Sequence, residues 1–456
     1  MKVVKFGGSS LANARQLEKV KNIMASDPTR RIAVVSAPGK RFDSDTKVTD
    51  LLIELASQCL NGSADTLQTF KEIIERYASI AEELSIEEPI IEEITRSLSE
   101  LLDMDKSVPG YFIDAVKASG EDNNAKLIAA YFRKAGLKAR YINPKEAGLI
   151  LSDEPGQAKV LAESYLNLYA LRNYEEILVF PGFFGYTRKG RLVTFSRGGS
   201  DITGAIVANG VEAAMYENFT DVDSIFVANP KIVQNPVGIS HLTYREMREL
   251  SYAGFSVLHD EALYPAFAEG IPVVVKNTNN PSAPGTVICE ERPEGSDPFA
   301  ITGIASQKGF ASIYISKYMM NREVGFVRRV LSVFESFNLS IEHVVSGIDD
   351  IDVIFKEDQL SGNEIEHLLS EIKHQTAADQ VVKCDNLCLL MVVGESMKSQ
   401  VGITAKIASA LSKASINLEM INQGSSENSL MFGIKEDQEE YAVRAVYNAF
   451  FQEDPR

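Results

Sequence analysis

Two glycine-rich turns, almost two hundred residues apart, constrain what this chain can fold into. The first turn, Gly7–Ser10, follows the short run Val3-Val4-Lys5-Phe6 at the start of the chain, so Lys5 lies two residues before its first glycine; the second turn is Ser196–Asp201. Glycines allow backbone N–H groups to approach anionic oxygens, and a neighbouring cation offsets their charge. Both turns therefore predict phosphate binding, the first of them at the end of a strand.

The sequence lacks the motifs of two common nucleotide-binding folds. Lys5 precedes the glycines, whereas the Walker loop of P-loop NTPases has its lysine after them. No G-x-G-x-x-G turn of the dinucleotide-binding type is present. The phosphate site must therefore belong to another α/β architecture.

Composition narrows the class of protein further. A chain of 456 residues is too long for one core, so two or three domains are expected. A net charge of −17 without a basic stripe argues against nucleic acid as a partner. The chain contains no run of eighteen apolar residues, so no membrane span is predicted. Its start does not resemble a signal peptide, and a cytoplasmic protein is therefore expected.

The cysteines and histidines do not indicate a metal centre. The four cysteines form no C-x-x-C pair and are expected to be reduced thiols, and the five histidines are scattered. No transition-metal site is predicted. The cysteines are Cys59, Cys289, Cys384 and Cys388.

Residues 1–290 alternate β-branched runs with helical stretches, which predicts a largely parallel sheet covered by helices. Residues 61–106 interrupt this alternation with a helical insertion, and Asp122–Lys134 is a predicted helix. The predicted strands are Arg31–Ser36, Ala139–Ile142, Glu176–Pro181, Ala213–Glu217 and Ile271–Val275.

A charged, Pro- and Gly-containing segment at 291–299 predicts a linker, and an internal repeat follows it. At an offset of 77, Val324-Gly325 matches Val401-Gly402, and Ile341-Glu342 matches Leu418-Glu419. Each copy is predicted as a strand, a glycine turn, an amphipathic helix and a second strand, the last at 339–342 in the first copy.

Four motifs occur in a fixed order along the chain: KFGGSS at Lys5–Ser10, SGE at Ser119–Glu121, SRGGSD at Ser196–Asp201 and FTDVD at Phe219–Asp223. Together they resemble the aspartokinases of the amino-acid kinase family, in particular the single-function, lysine-sensitive type. The resemblance implies an α/β fold: a three-layer αβα kinase domain with a mostly parallel sheet (1–290), a linker (291–299) and two ferredoxin-like βαββαβ ACT domains (300–380 and 381–456).

The resemblance implies phosphoryl transfer from ATP to the side chain of L-aspartate, which opens lysine, threonine and methionine biosynthesis. Such a reaction joins two anions, so positioning and charge neutralisation dominate its catalysis. Lys5 is expected to stabilise the transferring group and Asp201 to orient Lys5. A cap for a helix starting at Ile202 is the other interpretation of Asp201, and the two roles are compatible. Gly7, Gly8 and Ser9 would donate N–H groups to the phosphates. Mg²⁺ is implied by ATP, held by phosphate oxygens and water, and we assign it no protein ligand.

An amino-acid acceptor needs an anion for its ammonium and an arginine for its carboxylate. By resemblance, Glu121 binds the ammonium and Arg197 the α-carboxylate. Ser36, Thr49 and Ser200 would line the pocket around the reacting side chain.

By resemblance, Thr220 and Asp221 contact the adenosine, with Phe226 and Lys231 nearby. The chain departs from the family here: it has Asn229-Pro230-Lys231 where Asp-Pro-Arg is common, and Ser256 where relatives carry a lysine. Lysine keeps the charge of arginine but not its two-pronged geometry.

The first ACT-like copy is expected to hold an effector amino acid. The resemblance and the negative charge of Glu342 favour lysine, with threonine, or lysine and threonine together, as the alternatives. Glu342 as a plain exposed carboxylate is the alternative, since Glu419 has the same register in the other copy. ACT units usually pair across subunits, which implies a homodimer or a dimer of dimers. The predicted effector residues are Met320, Gly325, Phe326, Ile341, Glu342 and Ser346.

Three functions remain open from the sequence: an aspartate kinase under feedback control, another amino-acid kinase, and an inactive amino-acid sensor that uses only the ACT pair. The Ser-Gly-Glu motif and the tandem repeats count against the second. The motif lysine, glutamate, arginine and aspartate count against the third.

Overall fold

The computed structural model describes residues 1–87, 89–196, 198–255, 258, 260–293, 295, 299–424 and 428–452. The chain forms two compact units. The first comprises Met1–Ile225, Gly238–Met247 and Ser256–Ser296, and the second Phe226–Val237, Arg248–Phe255 and Asp297–Arg456.

The first unit is built on an eight-stranded sheet in the order β3-β5-β2-β1-β8-β10-β11-β9. Every neighbouring pair is parallel except β10 and β11, which confirms the predicted mostly parallel α/β fold. A separate small sheet has the order β4-β6-β7. The strands are β1 Lys2–Phe6, β2 Arg30–Val35, β3 Ala139–Tyr141, β4 Ile150–Leu151, β5 Ile177–Pro181, β6 Phe184–Thr187, β7 Leu192–Thr194, β8 Met215–Thr220, β9 His241–Thr243, β10 Val273–Asn277 and β11 Thr286–Cys289.

Helices cover this sheet, and one of them, α8, has its first residues in the first unit and its last in the second. Short 3₁₀ helices lie at Gly8–Leu11, Tyr169–Asn173 and Asp260–Leu263. The α-helices are α1 Ala14–Ser26, α2 Val48–Asn61, α3 Thr66–Glu83, α4 Ile90–Leu102, α5 Pro109–Lys134, α6 Glu163–Leu168, α7 Gly199–Gly210, α8 Tyr244–Tyr252 and α9 Tyr264–Ala268.

Alternation along β1 determines which helices each side chain meets. Val4 and Phe6 join a large apolar core with residues of α1 to α5. Lys5 points to the opposite face, where α7 packs against β1 and β8. The insertion predicted at 61–106 contains α3 and α4, which bury Ile73 and Tyr77 in the first core.

Two predicted strands are displaced and one helix is longer than predicted. β10 begins at Val273 because Ile271 still donates to Ala266 at the end of a helix, and Pro272 has no N–H for a ladder. β8 begins at Met215, after a turn in which Glu212 has a φ of 46°. α5 begins at Pro109 rather than Asp122, with proline at its first position, so the Ser-Gly-Glu motif lies inside a helix.

The second unit is one antiparallel sheet of six strands in the order β13-β14-β12-β15-β17-β16. Helices α10 and α12 each begin after a left-handed glycine, Gly325 (φ 78°) and Gly402 (φ 94°), as the repeat predicts. The elements are β12 Gly303–Ser316, α10 Phe326–Ser336, β13 His343–Ser346, β14 Asp350–Lys356, α11 Gly362–Thr376, β15 Gln380–Val393, α12 Ile403–Lys413, β16 Met420–Gln423, β17 Ser429–Lys435 and α13 Glu439–Phe451, with 3₁₀ turns at Met320–Arg322, Glu357–Gln359, Glu395–Ser399 and Glu436–Gln438.

Two strands of fourteen residues serve both repeats. The second half of β12 pairs with β14 and with the first half of β15, which completes one βαββαβ unit. The first half of β12, Gly303–Gln307, pairs with the second half of β15 and supplies the last strand of the other unit. The register shifts between Gln307 and Phe310, where Gly309 has a φ of 87°. Both ACT units are therefore ferredoxin-like, and they share one sheet.

The strand predicted at 339–342 begins later, at His343. The side chain of Gln359 accepts from the Ser340 N–H and donates to the Ser340 carbonyl, so this backbone is satisfied outside the ladder. None of the described helices is both long enough and apolar enough to cross a bilayer.

Candidate active site

Lys5 and Asp201 form a close ion pair on the α7 side of the sheet. The Lys5 Nζ lies 2.6 Å from Asp201 Oδ1, and the lysine is 8% exposed. Helix α7 begins at Gly199 after the left-handed Gly198, so Asp201 lies in the first turn of the helix. The interpretation of Asp201 as a cap for a helix starting at Ile202 is therefore wrong. A carboxylate in the first turn still interacts favourably with the helix dipole.

The first glycine turn is held by close backbone contacts. The Gly7 N–H donates to the Phe219 carbonyl (3.2 Å), and the Gly39 N–H donates to the Gly8 carbonyl (2.9 Å). A Cβ on Gly39 would lie 2.6 Å from the Gly8 carbonyl carbon, so only glycine permits this approach. Ser9 is exposed at the tip of the turn. Backbone hydrogen bonds to Phe219 and Gly39 therefore hold the turn in place, while Ser9 at its tip remains accessible.

The loop that carries Gly39 is tied to the helical insertion by a buried arginine. Arg76, on α3, donates to the Gly39 carbonyl (3.0 Å), the Thr46 carbonyl (3.0 Å) and both oxygens of Asp45 (2.8 Å each). Asp45 also accepts from Arg41, and the two arginines hold the pKa of its carboxyl far below the usual range. Sequence reasoning missed this network because its members belong to different elements.

Glu121 is a buried carboxyl in the middle of α5. It is 5% exposed and accepts a hydrogen bond from the backbone of Ala37, but its Oε2 has no hydrogen-bond partner among the described residues. Burial raises its pKa to about 8. The preceding Gly120 allows the close packing, since a Cβ there would lie 2.9 Å from the Ala37 Cβ. A buried carboxyl with a free oxygen is suited to receive a cationic group.

The other predicted acceptor residues lie on the same unit. The Ser36 carbonyl accepts from Asn124 Nδ2 (2.6 Å) on α5, one turn from Glu121. Thr49 is half-buried at the start of α2. Ser200, in the first turn of α7, is buried against Gly182, where a Cβ would lie 2.7 Å from the Ser200 Oγ. Arg197 lies outside the described residues.

The predicted nucleotide residues are divided between the two units. Thr220 ends β8, and its hydroxyl donates to Asp221 Oδ1 (3.1 Å), which is exposed. Phe226 and the exposed Lys231 are grouped with the second unit. Ser256 and His259 lie outside the described residues.

Among the described residues, no three His, Cys, Asp or Glu side chains are arranged to hold a metal ion. The Asp201 carboxylate is already paired with Lys5. No protein ligand for Mg²⁺ is therefore assigned. The four cysteines are free thiols.

One residue of the site was not anticipated from any motif. Asn218, on β8, donates from Nδ2 to Asp201 Oδ1 (2.8 Å) and is 2% exposed. Its position directly beside Lys5 in the parallel register was predictable only once the pairing of β1 with β8 was known.

A lysine beside a braced glycine turn can neutralise a transferring phosphoryl group, and a buried carboxyl nearby in the same unit can bind an ammonium. Such an arrangement is suited to transferring a phosphoryl group to a small acceptor that carries an ammonium. Comparison with known proteins agrees: the sequence pattern of the Amino acid kinase family matches residues 1–277, and an ACT domain pattern matches residues 390–450.

The chain belongs to the amino acid kinase family, and within it to the aspartokinases. It is 58% identical to Aspartokinase 3 of Bacillus subtilis over 452 residues, covering 99% of both chains. The solved aspartate kinase of Clostridium acetobutylicum, described as an allosteric enzyme, is 39% identical, with a TM-score of 0.86 over 99% of this chain and 100% of that one. Aspartokinase III of E. coli in complex with lysine and aspartate is 25% identical, with a TM-score of 0.74 over 99% of each chain.

Proposed function

We propose that this protein transfers the γ-phosphoryl group of MgATP to the side-chain carboxylate of L-aspartate, giving 4-phospho-L-aspartate. The observation that carries this proposal is the Lys5–Asp201 ion pair beside the glycine turn, in the same unit as the buried Glu121. The names of the relatives described above support aspartate as the acceptor.

In this mechanism Glu121 holds the ammonium of aspartate through its unpartnered oxygen. Arg197 holds the α-carboxylate, and Ser36, Thr49 and Ser200 line the pocket. The described network of Arg76 keeps the loop with Gly39 in place behind the phosphate turn. The acceptor carboxylate is thereby fixed for in-line attack, which is the main contribution a protein makes to phosphoryl transfer.

Lys5 offsets the negative charge that develops on the transferring group, while Asp201 sets the direction of its ammonium. Gly8 and Ser9 donate backbone N–H groups to phosphate oxygens, whereas the Gly7 N–H, predicted to do the same, is bonded to the Phe219 carbonyl. Thr220, Asp221, Phe226 and Lys231 bind the nucleoside part. Mg²⁺, bound through phosphate oxygens and water, would supply further charge neutralisation. No protein base is required, since the attacking carboxylate is already ionised.

We further propose that lysine, rather than threonine, is the feedback effector, and that it binds at the first ACT unit. Gly325 directly precedes α10, Met320 and Phe326 belong to the buried core of this unit, and Ile341 packs against that core. Glu342 is the cation partner, and Ser346 lies at the end of β13. The structure of E. coli aspartokinase III with lysine supports this effector class.

The remaining parts of the proposal concern assembly and setting. A homodimer or a dimer of dimers through the ACT units is proposed, as is a cytoplasmic enzyme at the first step of lysine, threonine and methionine biosynthesis.

One assay tests catalysis and regulation together. MgATP and L-aspartate are supplied with hydroxylamine, which traps an acyl phosphate as a coloured hydroxamate. Hydroxamate that decreases when lysine is added is the expected result, and threonine in place of lysine is the matched control. No hydroxamate from aspartate, with lysine still bound, would instead favour the amino-acid sensor. Hydroxamate from glutamate but not aspartate would favour another amino-acid kinase.

A further inference from the structure

Asn218 occupies a position at which a polar side chain is costly. It lies in β8, between β1 and β10, in the row Lys5–Asn218–Val275 of the sheet. Strand interiors disfavour asparagine, and an amide buried without a full set of hydrogen bonds destabilises the fold. Its Oδ1 has no hydrogen-bond partner among the described residues. A local conflict of this kind is expected where function requires it.

The amide of Asn218 has one described side-chain partner, and that partner is the carboxylate that holds Lys5. Nδ2 donates to Asp201 Oδ1 over 2.8 Å, and the same oxygen lies 2.6 Å from the Lys5 Nζ. Asp201 Oδ1 can only accept a hydrogen bond, so the Asn218 amide must present its nitrogen to the carboxylate. An amide oxygen in that place would be repelled. Asp201 Oδ1 is therefore fixed from two directions, by β1 and by β8.

We propose that Asn218 is a positioning residue for phosphoryl transfer: by donating to Asp201 it fixes the carboxylate that directs the Lys5 ammonium at the transferring group. This inference rests on the proposed function and deepens it by one residue. Asn218 itself need not touch either substrate. Removing its hydrogen bond leaves both charges in place but frees the Asp201 side chain to turn, and displacements of about 1 Å at a reacting centre lower rates by up to about a hundredfold.

Asn218→Leu removes the donor and keeps a side chain that branches at Cγ into two heavy atoms. The expected result is a kcat lower by about tenfold to a hundredfold, with KM values for aspartate and MgATP within about threefold, and with thermal unfolding no earlier than in the wild type, because a polar group has left the core. Asn218→Asp puts an acceptor in place of the donor and is expected to lower kcat further. Where the leucine variant is insoluble, Asn218→Thr takes its place, since threonine suits a strand but its hydroxyl is too short to reach.

Tyr216→Phe is the matched control. Tyr216 lies two residues earlier on the same face of β8 and donates to the main-chain carbonyl of Asp201 (3.2 Å), not to its carboxylate. This variant should keep kcat within about twofold of wild type. The inference is overturned by an Asn218→Leu enzyme with wild-type kcat, or by a Tyr216→Phe enzyme with the same loss.

A wild-type enzyme that forms no hydroxamate from aspartate would refute the proposed acceptor and not the role of Asn218. In that event the same variants are compared in the slow transfer of phosphate from MgATP to water, which uses Lys5 and Asp201 but no aspartate. The same order of rates is expected there, and equal rates would overturn the inference.

Discussion

The hydroxyl of Tyr252 donates a hydrogen bond to the carboxylate of Glu342, within the second unit. Tyr252 ends α8, and its ring also meets the ring of His343 edge-on at 5.9 Å. Burial raises the pKa of the Tyr252 hydroxyl, and its hydrogen bond to the Glu342 carboxylate raises that pKa further. Lys356 approaches Glu342 to 4.0 Å. The plain exposed carboxylate considered from the sequence is thus not what the structure contains: Glu342 has partners already.

Tyr252→Phe should strengthen inhibition by lysine. An effector ammonium at Glu342 has to displace the Tyr252 hydroxyl, and a hydrogen bond to a charged group contributes about 1.5–3 kcal/mol. Removing it should lower the lysine concentration for half-inhibition by about tenfold or more. The measurement is a lysine titration of hydroxamate formation, each variant normalised to its own rate without lysine.

Two controls fix the interpretation of that titration. Glu342→Ala should relieve inhibition, since the proposed cation partner is gone. Tyr318→Phe removes the hydroxyl of an exposed tyrosine elsewhere on the same unit and should leave the titration unchanged. An unchanged half-inhibition in both Tyr252→Phe and Glu342→Ala would move the effector site away from Glu342.

Lys5→Met should lower kcat by about two to three orders of magnitude, the usual cost of losing one transition-state charge partner. The unbranched methionine keeps the volume but leaves Asp201 without its cation. Lysine binding, measured by calorimetry, should be retained because the effector residues lie in the other unit. Lys2→Met on the same strand, which loses an ion pair with Asp27, is the matched control for strand damage. Normal turnover in the Lys5 variant would exclude the proposed role.

Aspartate binding should tighten as the pH rises from 6 to 8. Burial raises the pKa of Glu121 to about 8, so the carboxyl is mostly protonated at pH 7. Binding an ammonium requires the ionised form, so a proton must leave, and the dissociation constant should fall by up to about tenfold per pH unit below the pKa. Calorimetry in buffers of different ionisation enthalpy measures how many protons are released when aspartate binds.

Glu121→Gln provides the comparison for the pH profile. It should bind aspartate more weakly, without proton release and without the slope between pH 6 and 8. The shift also has a consequence for folding: the folded state binds more protons than the unfolded state between pH 4.5 and 8, so this group's contribution to stability is lost as the pH rises. A wild-type dissociation constant that does not change over this range would contradict the assignment.

Arg76→Met should destabilise the first unit by about 3 kcal/mol, because it leaves Asp45 buried with fewer partners. It should also raise KM for aspartate, since the loop behind the phosphate turn loses its tie to α3. The double variant Arg76→Met, Asp45→Leu should be more stable than Arg76→Met alone, because no buried charge is left behind. Urea unfolding measures the stability of the single and double variants. Losses of stability that simply add up in the double variant would argue against a coupled pair.

Short-range patterns made much of this fold predictable. The four motifs and the alternation of β-branched runs with helical stretches each depend on residues close together in sequence. The family and the α/β and ACT architectures that these patterns and the internal repeat predicted are confirmed. The start of α5 was not predicted, because Gly120 inside a helix resembles a break until the packing against Ala37 is known.

Contacts between distant elements account for what the sequence could not reveal. Asn218 belongs to no motif, and its relation to Lys5 depends on strand register. Arg76 and Asp45 are 31 residues apart on elements whose docking no local pattern specifies. The role of each predicted site residue stays a prediction, with Arg197 outside the described residues.

The strands β12 and β15, each shared by both repeats, bear on how this regulatory region can have arisen and can be recombined. End-to-end duplication of a gene segment for one complete ACT unit gives two separate sheets, each formed only by strands of its own unit. Here the last strand of the second ACT unit is encoded before the first ACT unit begins. A gene segment that carried only the second repeat would therefore omit Gly303–Gln307 and leave an open sheet edge. Crossovers between relatives that preserve the fold must exchange the whole region from residue 303 onward as one block.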